Sequence, residues 1–579
     1  MKTRTKTPIS QRFDLNVFLQ RLMILLMLVW FVIFLLMPMV MMFGQVFTDD
    51  LGSWVGLENF RSYFSNPLLT GSIVHSLTVS LSTAFISTAL GLLYAYGITR
   101  TCMRGKVFYR YAALLPLFIP TMVHGMALVY LFGKTGFVTN VLGIDIGLYG
   151  KYGIIMAEIF YTFPQAFMIL AVALNNADNR LYEAARVMDV SPARTFFRIT
   201  LPSIRYGLIN CFIVCFTLSF TDFGAPEVVG GNYSVLATDI YRQVVGQQKM
   251  SMGAVVGVVL TIPAFISFVI DLALRKKNEQ NELSSKAVAL RVDRSAGRDV
   301  FYQVFGSALL FCTFSMIASV VMSAFVKRWP NDMSFTLRHF DFGEKLVGSG
   351  AVSFLNSFRL SLETAAFGTV LVFLFAYLIE KTKPFRQLRS FCRFLSMMPM
   401  ALPGLVLGLG YIMFFNKQWI QIPFLGIEIG NSFSGLYGTM AIMVFCTIIH
   451  MFSVTFVTGV TALKKLDREY ENAASSMSIP FWKVFFKVSL PMSLNAVLEI
   501  FLYFFVNSMV TVSAIVFLYT PQNKPAAIAI LNMDDNGDYA SAAAMSVLIL
   551  LINIAVRTVY ELLNAKMSKK LDAWKTAGN

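Results

Sequence analysis

Long apolar stretches alternate with short polar segments along the whole chain. Each apolar stretch has about 20 residues, which is enough to cross a hydrocarbon core of ~30 Å as a helix. We find twelve of them, at 17–42, 74–98, 111–132, 152–174, 206–222, 252–273, 301–325, 357–379, 394–414, 436–459, 493–517 and 541–562. The pattern predicts an all-α polytopic membrane protein with twelve transmembrane helices in a lipid bilayer.

The composition excludes soluble alternatives. Hydrophobic residues make up 56% of the 579 residues and charged residues only 14%, whereas a soluble globular protein has about 25% charged residues. So little charge cannot cover a water-exposed surface of this size. A soluble enzyme, a disordered chain and a secreted disulfide scaffold are therefore excluded.

The positive charge predicts the orientation of the chain. The formal net charge is +16, and 36 of the 48 Lys and Arg residues fall at alternate ends of the spans, starting with the N-terminal segment. Because basic loops stay in the cytoplasm, this bias places both termini on the cytoplasmic side. The charge is divided among seven short loops, which argues against a nucleic-acid surface. The first apolar stretch is too long for a signal peptide and is read as a retained helix.

The chain contains two copies of one design. Two polar segments align at a constant offset of 289 residues, which superposes their Ala-Ala pairs, their Phe-Phe pairs and their Leu-Pro ends. We call them the first coupling segment (178–202) and the second coupling segment (467–491). A pair of prolines upstream, Pro116 and Pro120, also recurs, at an offset of 283 residues as Pro399 and Pro403.

The repeat predicts two parallel six-helix halves that enclose a central pathway. An even number of spans in each half gives both halves the same orientation, related by a pseudo-twofold axis along the membrane normal. The predicted units are a first half, a basic cytoplasmic linker and a second half, at 1–273, 274–300 and 301–579.

Both coupling segments have the character of a short docking helix. Each has an Ala-Ala step, a turn-forming break, an apolar Phe-Phe face and a Leu-Pro end where the next span starts. Such a helix suits a groove on a cytoplasmic partner, and the alternative is an amphipathic helix on the lipid surface. Its occurrence at equal positions in both halves favours docking onto a partner with twofold symmetry.

The coupling segments resemble the EAA loop of permease subunits of ATP-binding-cassette importers. The family pattern is roughly E-A-A-x-x-x-G, then about nine residues, then I-x-L-P. The first segment departs from it only at the glycine, with Glu183, Ala184, Ala185, Asp189, Leu201 and Pro202. The second also lacks the glutamate and the isoleucine, with Asn472, Ala473, Ala474, Ser478, Leu490 and Pro491. Aspartate and serine tolerate turns, so we expect a helix–turn–helix in both. The missing glutamate predicts unequal docking.

The resemblance implies a transport pore rather than an enzyme. In that family the loops sit in clefts of two copies of a cytoplasmic ATPase, and closure of the ATPase dimer swings the pore from inward- to outward-facing. An extracytoplasmic solute-binding protein delivers the solute, and the pore lies in the cell inner membrane. The chain itself has no phosphate-binding loop, because Leu128 stands where the first glycine is needed before Gly133-Lys134-Thr135. No catalytic residue, cofactor or metal site is predicted. The acidic run 534–538 lacks calcium-ligand spacing and is read as a solvated outer loop.

Polar residues inside the fifth and eleventh spans are the predicted translocation pathway. Polar groups in an apolar helix face protein or water rather than lipid, which points to Ser219, Asp222, Asn507, Ser508 and Thr511. The alternative for the hydroxyl groups is ordinary helix packing, and for Asp222 a capping role at the outer end. Asp222 stands nearly alone and has no acidic counterpart in the second half, which predicts an asymmetric site.

The substrate is predicted from resemblance alone. The stretches 221–247, 505–514 and 531–535 resemble permeases assigned to 2-aminoethylphosphonate uptake. Fused two-half permeases also occur among importers of ferric iron and thiamine. We therefore predict 2-aminoethylphosphonate first and ferric iron second, with polyamine and thiamine as alternatives.

Two other function classes explain the sequence less well. A stand-alone secondary transporter would need several intramembrane ionisable residues and would leave the coupling segments without a role. A membrane-embedded enzyme or scaffold would need a metal cluster or a nucleophile–base set, and the sequence offers neither.

Overall fold

The computed structural model describes residues 15–282, 292, 294–342, 350–422, 427–467 and 469–576. Its helices before the linker are α1 Leu15–Phe31, α2 Met37–Gln45, α3 Glu58–Ser65, α4 Pro67–Arg100, α5 Lys106–Ala112, α6 Thr121–Phe132, α7 Phe137–Leu142, α8 Lys151–Asn175, α9 Asn179–Val187, α10 Pro192–Thr195, α11 Leu201–Ser203, α12 Arg205–Thr221, α13 Gly224–Val229, α14 Leu236–Tyr241 and α15 Met250–Glu282. The last of these continues into the predicted linker, of which residues 283–291 and 293 lie outside the described part.

The helices after the linker repeat much of this order. They are α16 Ala296–Phe325, α17 Gly350–Lys381, α18 Arg386–Met397, α19 Gly404–Phe415, α20 Met440–Lys464, α21 Glu469–Ser476, α22 Phe481–Val484, α23 Leu490–Met492, α24 Leu494–Val510, α25 Ala526–Asp535 and α26 Tyr539–Thr576. Short 3₁₀ turns lie at Leu115–Phe118, Arg338–Phe340, Met398–Ala401 and Ser434–Leu436. Single π turns lie at Val32–Leu36, Phe196–Thr200, Arg242–Gly246 and Phe485–Ser489.

Strands are a minor part of the described structure. Two antiparallel hairpins follow α16 and α19, formed by β1 Val326–Arg328 with β2 Asp332–Phe335 and by β3 Trp419–Ile422 with β4 Ile427–Gly430. In the first hairpin Val326 pairs with Phe335, and in the second Trp419 pairs with Gly430. The fold is the all-α polytopic membrane protein that the apolar pattern predicts.

The predicted spans correspond to helices of the structure, and two of them, at 111–132 and 394–414, are interrupted. Nine described helices are long and apolar enough to cross a membrane, and three bent helix pairs raise the number to as many as twelve. The bent pairs carry the spans predicted at 206–222, 394–414 and 493–517, with bends of 69°, 111° and 78°. The first of these spans is nevertheless the continuous helix α12, because its bend lies before Arg205, and the third starts at its bend and ends early, at Val510. The predicted continuous helix is wrong at 394–414, which contains its bend.

The repeated prolines interrupt the third span of each half. Proline fixes φ and has no N–H to donate, so it breaks a helix interior. A 3₁₀ turn therefore precedes Pro120 and another precedes Pro403, and α6 and α19 start directly after these prolines. Backbone groups near the breaks are satisfied by other helices, since Asn553 Nδ2 donates to Phe118 O at 2.9 Å and Ser453 Oγ accepts from Met400 N at 3.1 Å. Such irregular backbone is tolerated at membrane depth only where protein or water covers it.

The first helix of each half packs on the other half. The Phe31 ring lies 5.1 Å from the Phe452 ring, and Tyr411 Oη donates to Phe34 O at 2.7 Å. In the opposite direction, Ser319 Oγ of α16 donates to Ala127 O at 3.3 Å, and Trp329 Nε1 just beyond α16 donates to Tyr130 O at 2.8 Å. Each of the predicted halves, 1–273 and 301–579, therefore contributes its first helix to the packing of the other half.

Candidate functional site

The first coupling segment is a helix–turn–helix. Asp178 caps α9, since its Oδ1 accepts from Arg180 N at 3.1 Å. The helix ends where Val190 N donates to Ala185 O at 3.0 Å. This closing bond requires a left-handed residue between the two, and Asp189 adopts it with φ of 51°.

The second coupling segment closes with the same turn. Ile479 N donates to Ala474 O at 2.8 Å, and Ser478 has φ of 55°. In both segments, the residue that stands in place of the family's glycine takes the left-handed conformation for which glycine is preferred. The helix–turn–helix expected from the sequence is therefore present twice.

Each Ala-Ala step has one buried and one exposed member. Ala185 and Ala474 are buried at 2% and 9% exposure, whereas Ala184 and Ala473 face the exterior. Glu183 and Asn472 are exposed beside them. The buried alanine holds the short helix against the protein, and the exposed alanine leaves room on the outer face for a close partner.

The Leu-Pro ends mark where each coupling segment turns into the membrane. Pro202 and Pro491 are the second residues of the one-turn helices α11 and α23, and both are exposed. Leu201 and Leu490 are half-buried. The chain then bends by 69° into α12 and by 78° into α24. Proline is favoured at the start of a helix because the N–H it lacks has no intrahelical partner there.

Different side-chain contacts attach the two coupling segments to the rest of the protein. In the first half, the buried Arg100 guanidinium lies 4.7 Å from the centre of the Tyr182 ring, and Tyr182 Oη donates to Thr200 Oγ1 at 3.2 Å. In the second half, Lys381 Nζ forms an ion pair with Glu471 Oε1 at 3.2 Å. The basic residues correspond at an offset of 281 residues, and Tyr182 and Glu471 at 289. Equivalent positions thus use a cation–π contact in one half and an ion pair in the other.

The N-terminal helix supports the second coupling segment. Asn16 Oδ1 accepts from Phe481 N at 3.0 Å at the start of α22. A cavity of about 620 Å³ lies between this helix and the segment, lined in part by Gln20, Lys381 and Ser478. The exchange of first helices therefore ties the chain start to the second coupling segment.

The predicted pathway residues lie at the outer parts of α12 and α24. Asp222 directly follows α12, and its Oδ2 accepts from Ala225 N at 3.0 Å. Thr511 follows α24 at the equivalent position and is nearly buried. Ser219 and Ser508 are buried, and neither hydroxyl has a hydrogen-bond partner among the described residues. Asn507 is half-buried and donates to Tyr503 O at 2.8 Å.

Asp222 does not stand alone, which corrects the expectation from sequence. Glu158 of α8 is fully buried and its carboxyl group interacts with that of Asp222. Tyr161, one turn further along α8, interacts with both carboxyl groups and with Tyr503 of the second half. Sequence reasoning missed Glu158, although an acidic residue inside the apolar stretch 152–174 is itself a signal of function.

Small residues let the broken third span approach the end of the fifth in both halves. A Cβ on Gly224 would collide with Thr121 Oγ1, and a Cβ on Gly404 would collide with Ser513 Oγ. Thr121 corresponds to Gly404, and Gly224 to Ser513, so the glycine and the hydroxyl residue exchange places between the halves. The N-terminus of α6 is thereby held beside Asp222.

Aromatic rings from both halves meet beyond the carboxyl pair. Tyr241 lies 5.0 Å from Phe223 and 6.4 Å from Phe517, measured between ring centres. Phe223 and Phe517 are 1% and 6% exposed. We call these three residues the aromatic plug. Phe223 directly follows Asp222, so the aromatic plug adjoins the carboxyl pair along the chain.

Acidic groups surround the outer side of the plug. Burial raises the pKa of Glu227, and the Arg242 charge opposes that rise. Burial and then the charge of Asp535 raise the pKa of Asp534 to about 7. Asp534 is therefore partly buried at the end of α25, which corrects the solvated-loop interpretation for this residue. The described residues contain no group of three or more His, Cys, Asp or Glu that could hold a metal ion.

Comparison with known proteins identifies the repeated unit. Residues 87–279 and 368–569 each match the family described as binding-protein-dependent transport system inner membrane component. The two matches together cover more than half of the chain. Each contains one of the two coupling segments.

Two similar proteins align with most of this chain. The ferric transport system permease protein FbpB of Actinobacillus pleuropneumoniae is 27% identical over 92% of this chain and 76% of its own length. The putative ferric transport system permease protein FbpB 1 of Haemophilus influenzae is 27% identical over 87% of this chain and 78% of its own. Among solved structures, a bacterial ABC transporter involved in alginate import is 21% identical, with a TM-score of 0.38, over 45% of this chain and 96% of that chain.

Proposed function

We propose that this chain, which belongs to the family of binding-protein-dependent transport system inner membrane components, forms the complete pore of an ATP-binding-cassette importer from its two fused halves. Two copies of a separate cytoplasmic ATPase would bind the two coupling segments, and a solute-binding protein would dock on the outer face. Both termini would lie in the cytoplasm. Family membership and the importer class follow from the matches of both halves.

One observation carries the coupling role. Two segments 289 residues apart close with the same left-handed turn and expose the same alanine, although their sequences differ at the glutamate, the glycine and the supporting side chains. The two coupling segments keep the same turn and the same exposed alanine although their sequences differ. This favours a partner that binds both segments by their backbone shape. A lipid surface would require an apolar face but no repeated turn.

For the cargo, two candidates have separate support. Ferric iron is supported by the names of the two similar proteins that extend over most of the chain. 2-Aminoethylphosphonate is supported by the resemblance of 221–247, 505–514 and 531–535 to permeases assigned to that solute. Both cargoes are small, polar and unable to cross a bilayer unaided.

The test is uptake by proteoliposomes that contain this chain, its partner ATPase and its binding protein. We expect ATP-dependent uptake of labelled ferric iron or 2-aminoethylphosphonate. We expect Ala184→Glu to abolish it, because Ala184 is exposed and a bulky charge there blocks the partner without disturbing the fold. ATPase activity stimulated by the loaded binding protein should fall in parallel.

Leu57→Glu is the matched control, since it adds the same side chain at an exposed position outside the candidate membrane spans and outside both coupling segments. It should transport normally. Full uptake in Ala184→Glu would contradict coupling through these segments. Uptake without ATP, driven by an ion gradient, would favour a secondary transporter instead.

A further inference from the structure

Two carboxyl groups lie together beside the broken third span, one of them fully buried (Glu158) and the other half-buried (Asp222). Glu158 is fully buried, and neither of its carboxylate oxygens has a hydrogen-bond partner among the described residues. Helix α8 packs against α12, which brings the Glu158 carboxyl group within electrostatic range of the Asp222 carboxyl group. Tyr161, one turn along α8, is within electrostatic range of both carboxyl groups and of Tyr503 in the second half. The carboxyl pair therefore lies on the side of α8 that is nearer to the second half.

The carboxyl pair lacks a positive partner. Two like charges in a low-dielectric interior repel strongly, and burying a charge without a partner costs several kcal/mol. The side chains that interact with the pair in the described structure are Thr121, Tyr161 and each other, with no lysine or arginine among them. The N-terminus of α6 stabilises one negative charge at Asp222. The second carboxyl group still needs a proton or a cation.

The pair lies beside a contact between the halves. Asp222 directly precedes Phe223 of the aromatic plug, whose rings come from both halves. A movement that separates Tyr241 from Phe517 would therefore act on the chain next to Asp222. A structural carboxyl pair placed inside one bundle would have no such connection to the boundary.

The outer end carries the same sign of charge. Glu227, Asp239, Asp534 and Asp535 are within electrostatic range of one another, and the basic residues that act on them in the described structure are Arg242 and, at Asp239, also His75. A mouth of one charge sign concentrates ions of the opposite sign. These four acidic residues would therefore attract a positive group first, and the carboxyl pair would bind it next.

We propose that Glu158 and Asp222 form a recognition site for the positively charged centre of the cargo, either a metal cation or an ammonium group. This inference rests on the proposed function, because it requires cargo to cross between the halves. Tyr161 and Tyr503 would supply hydroxyl oxygens from both sides. The site would disfavour a cargo that carries only negative charge.

The first experiment measures binding to the purified full chain in lipid nanodiscs by thermal unfolding. The probes are 2-aminoethylphosphonate against ethylphosphonate, which differ only in the ammonium group, and ferric citrate against sodium citrate. We expect one cationic probe to raise the unfolding temperature and its matched anion to leave it unchanged. We expect Glu158→Gln and Asp222→Asn to lose that rise. An equal rise with ethylphosphonate or sodium citrate would overturn the proposal.

The second experiment separates this inference from the proposed function. In the reconstituted importer, Glu158→Gln and Asp222→Asn should each lower uptake by about tenfold or more, the factor that corresponds to one lost charge interaction of ~1.4 kcal/mol. Glu363→Gln, at a carboxyl group paired with Arg359 away from the boundary, is the matched control.

The outcomes are distinct. Wild-type chain without ATP-dependent uptake would contradict the proposed function itself. Wild-type uptake that both variants retain would overturn the recognition site and leave the importer intact. Loss of uptake together with a lower unfolding temperature in the absence of probe, even in the conservative variant Glu158→Asp, would show a structural role and would also overturn it.

Discussion

The two coupling segments share a backbone and differ in what holds it. Both end their first helix with the same turn, at Asp189 and at Ser478. Behind the turn, the first half uses Arg100 against an aromatic ring, and the second half uses Lys381 against a carboxylate. A cation–π contact tolerates small sliding movements, whereas an ion pair has a narrower range of favourable geometry. The comparison shows that the two halves keep the same backbone turn at the proposed partner surface, while the buried contacts that stabilise it differ.

The largest effect is expected from breaking the ion pair in the second half. Lys381→Met removes the ammonium group that lies 3.2 Å from Glu471 Oε1 in a largely buried position. Removing one partner of a buried pair costs about 3–5 kcal/mol. We expect reduced thermal stability of the chain and loss of the ATPase stimulation that depends on the second segment. The double variant Lys381→Met/Glu471→Gln should recover much of the stability, and a double variant as unstable as the single would contradict this account.

A pH effect is expected next, at the outer ends of the two halves. Burial raises the pKa of Asp239 of α14, and the nearby Arg242 and His75 oppose that rise, whereas burial raises the pKa of Asp534 of α25 and the nearby Asp535 adds to the rise. With a pKa of about 7 in the folded state against 3.8 ordinarily, Asp534 binds its proton more tightly when folded. The free energy of unfolding should therefore fall as pH rises from about 4 to about 7.

Asp534→Asn should remove this pH dependence in thermal unfolding of the purified chain between pH 5 and pH 8. Asp145→Asn, at an exposed carboxyl group, is the control and should keep it. An unchanged slope in Asp534→Asn would assign the effect to another group.

A smaller effect is expected in the first half. Arg100→Lys keeps the charge but loses the planar group over Tyr182 and the hydrogen bond to Leu174 O at 2.6 Å. We expect a loss of about 1–2 kcal/mol in the free energy of unfolding. The reverse change, Lys381→Arg, should be tolerated better, because Arg can still pair with Glu471. Equal losses in the two variants would remove the distinction between the halves.

The smallest effect is expected at the turns themselves. Asp189→Gly and Ser478→Gly should each stabilise the chain by up to about 1 kcal/mol, because an L-residue pays that much in the left-handed region. Both substitutions should leave uptake unchanged. Destabilisation in either would show that the native side chain makes a contact that outweighs the strain.

The sequence predicts the parts of the fold that depend on local pattern. Apolar length is visible in each stretch, and the repeated prolines and Ala-Ala steps are visible as spacing. The bend of 111° before Gly404 follows from Pro403. The apolar length of 394–414 does not reveal it, because proline does not lower the apolar count enough to divide the stretch.

What the sequence hides depends on contacts between distant residues. Glu158 becomes significant only when α8 packs beside the end of α12, because a lone acidic residue in a span has several possible neighbours. The pathway residues Ser219, Asn507, Ser508 and Thr511 were selected by polarity, while Tyr161 and Tyr503 were missed because tyrosine is common in apolar stretches. The exchange of α1 and α16 leaves no trace in periodicity, since each helix is equally apolar whichever half it contacts.

The exchange of first helices determines the order in which the contacts of α1 can form during synthesis. Phe31 leaves the ribosome about 420 residues before Phe452, the residue on which its ring rests. At roughly 5–20 residues per second, the first helix waits about 20–80 s for its partner. During that interval α1 must be held in the bilayer by lipid or by the insertion machinery. Phe375 of α17 reaches the Phe31 ring earlier, at 5.9 Å, but a chain interrupted before α20 would leave that ring without Phe452. The last quarter of translation therefore completes the packing of the helix that is made first.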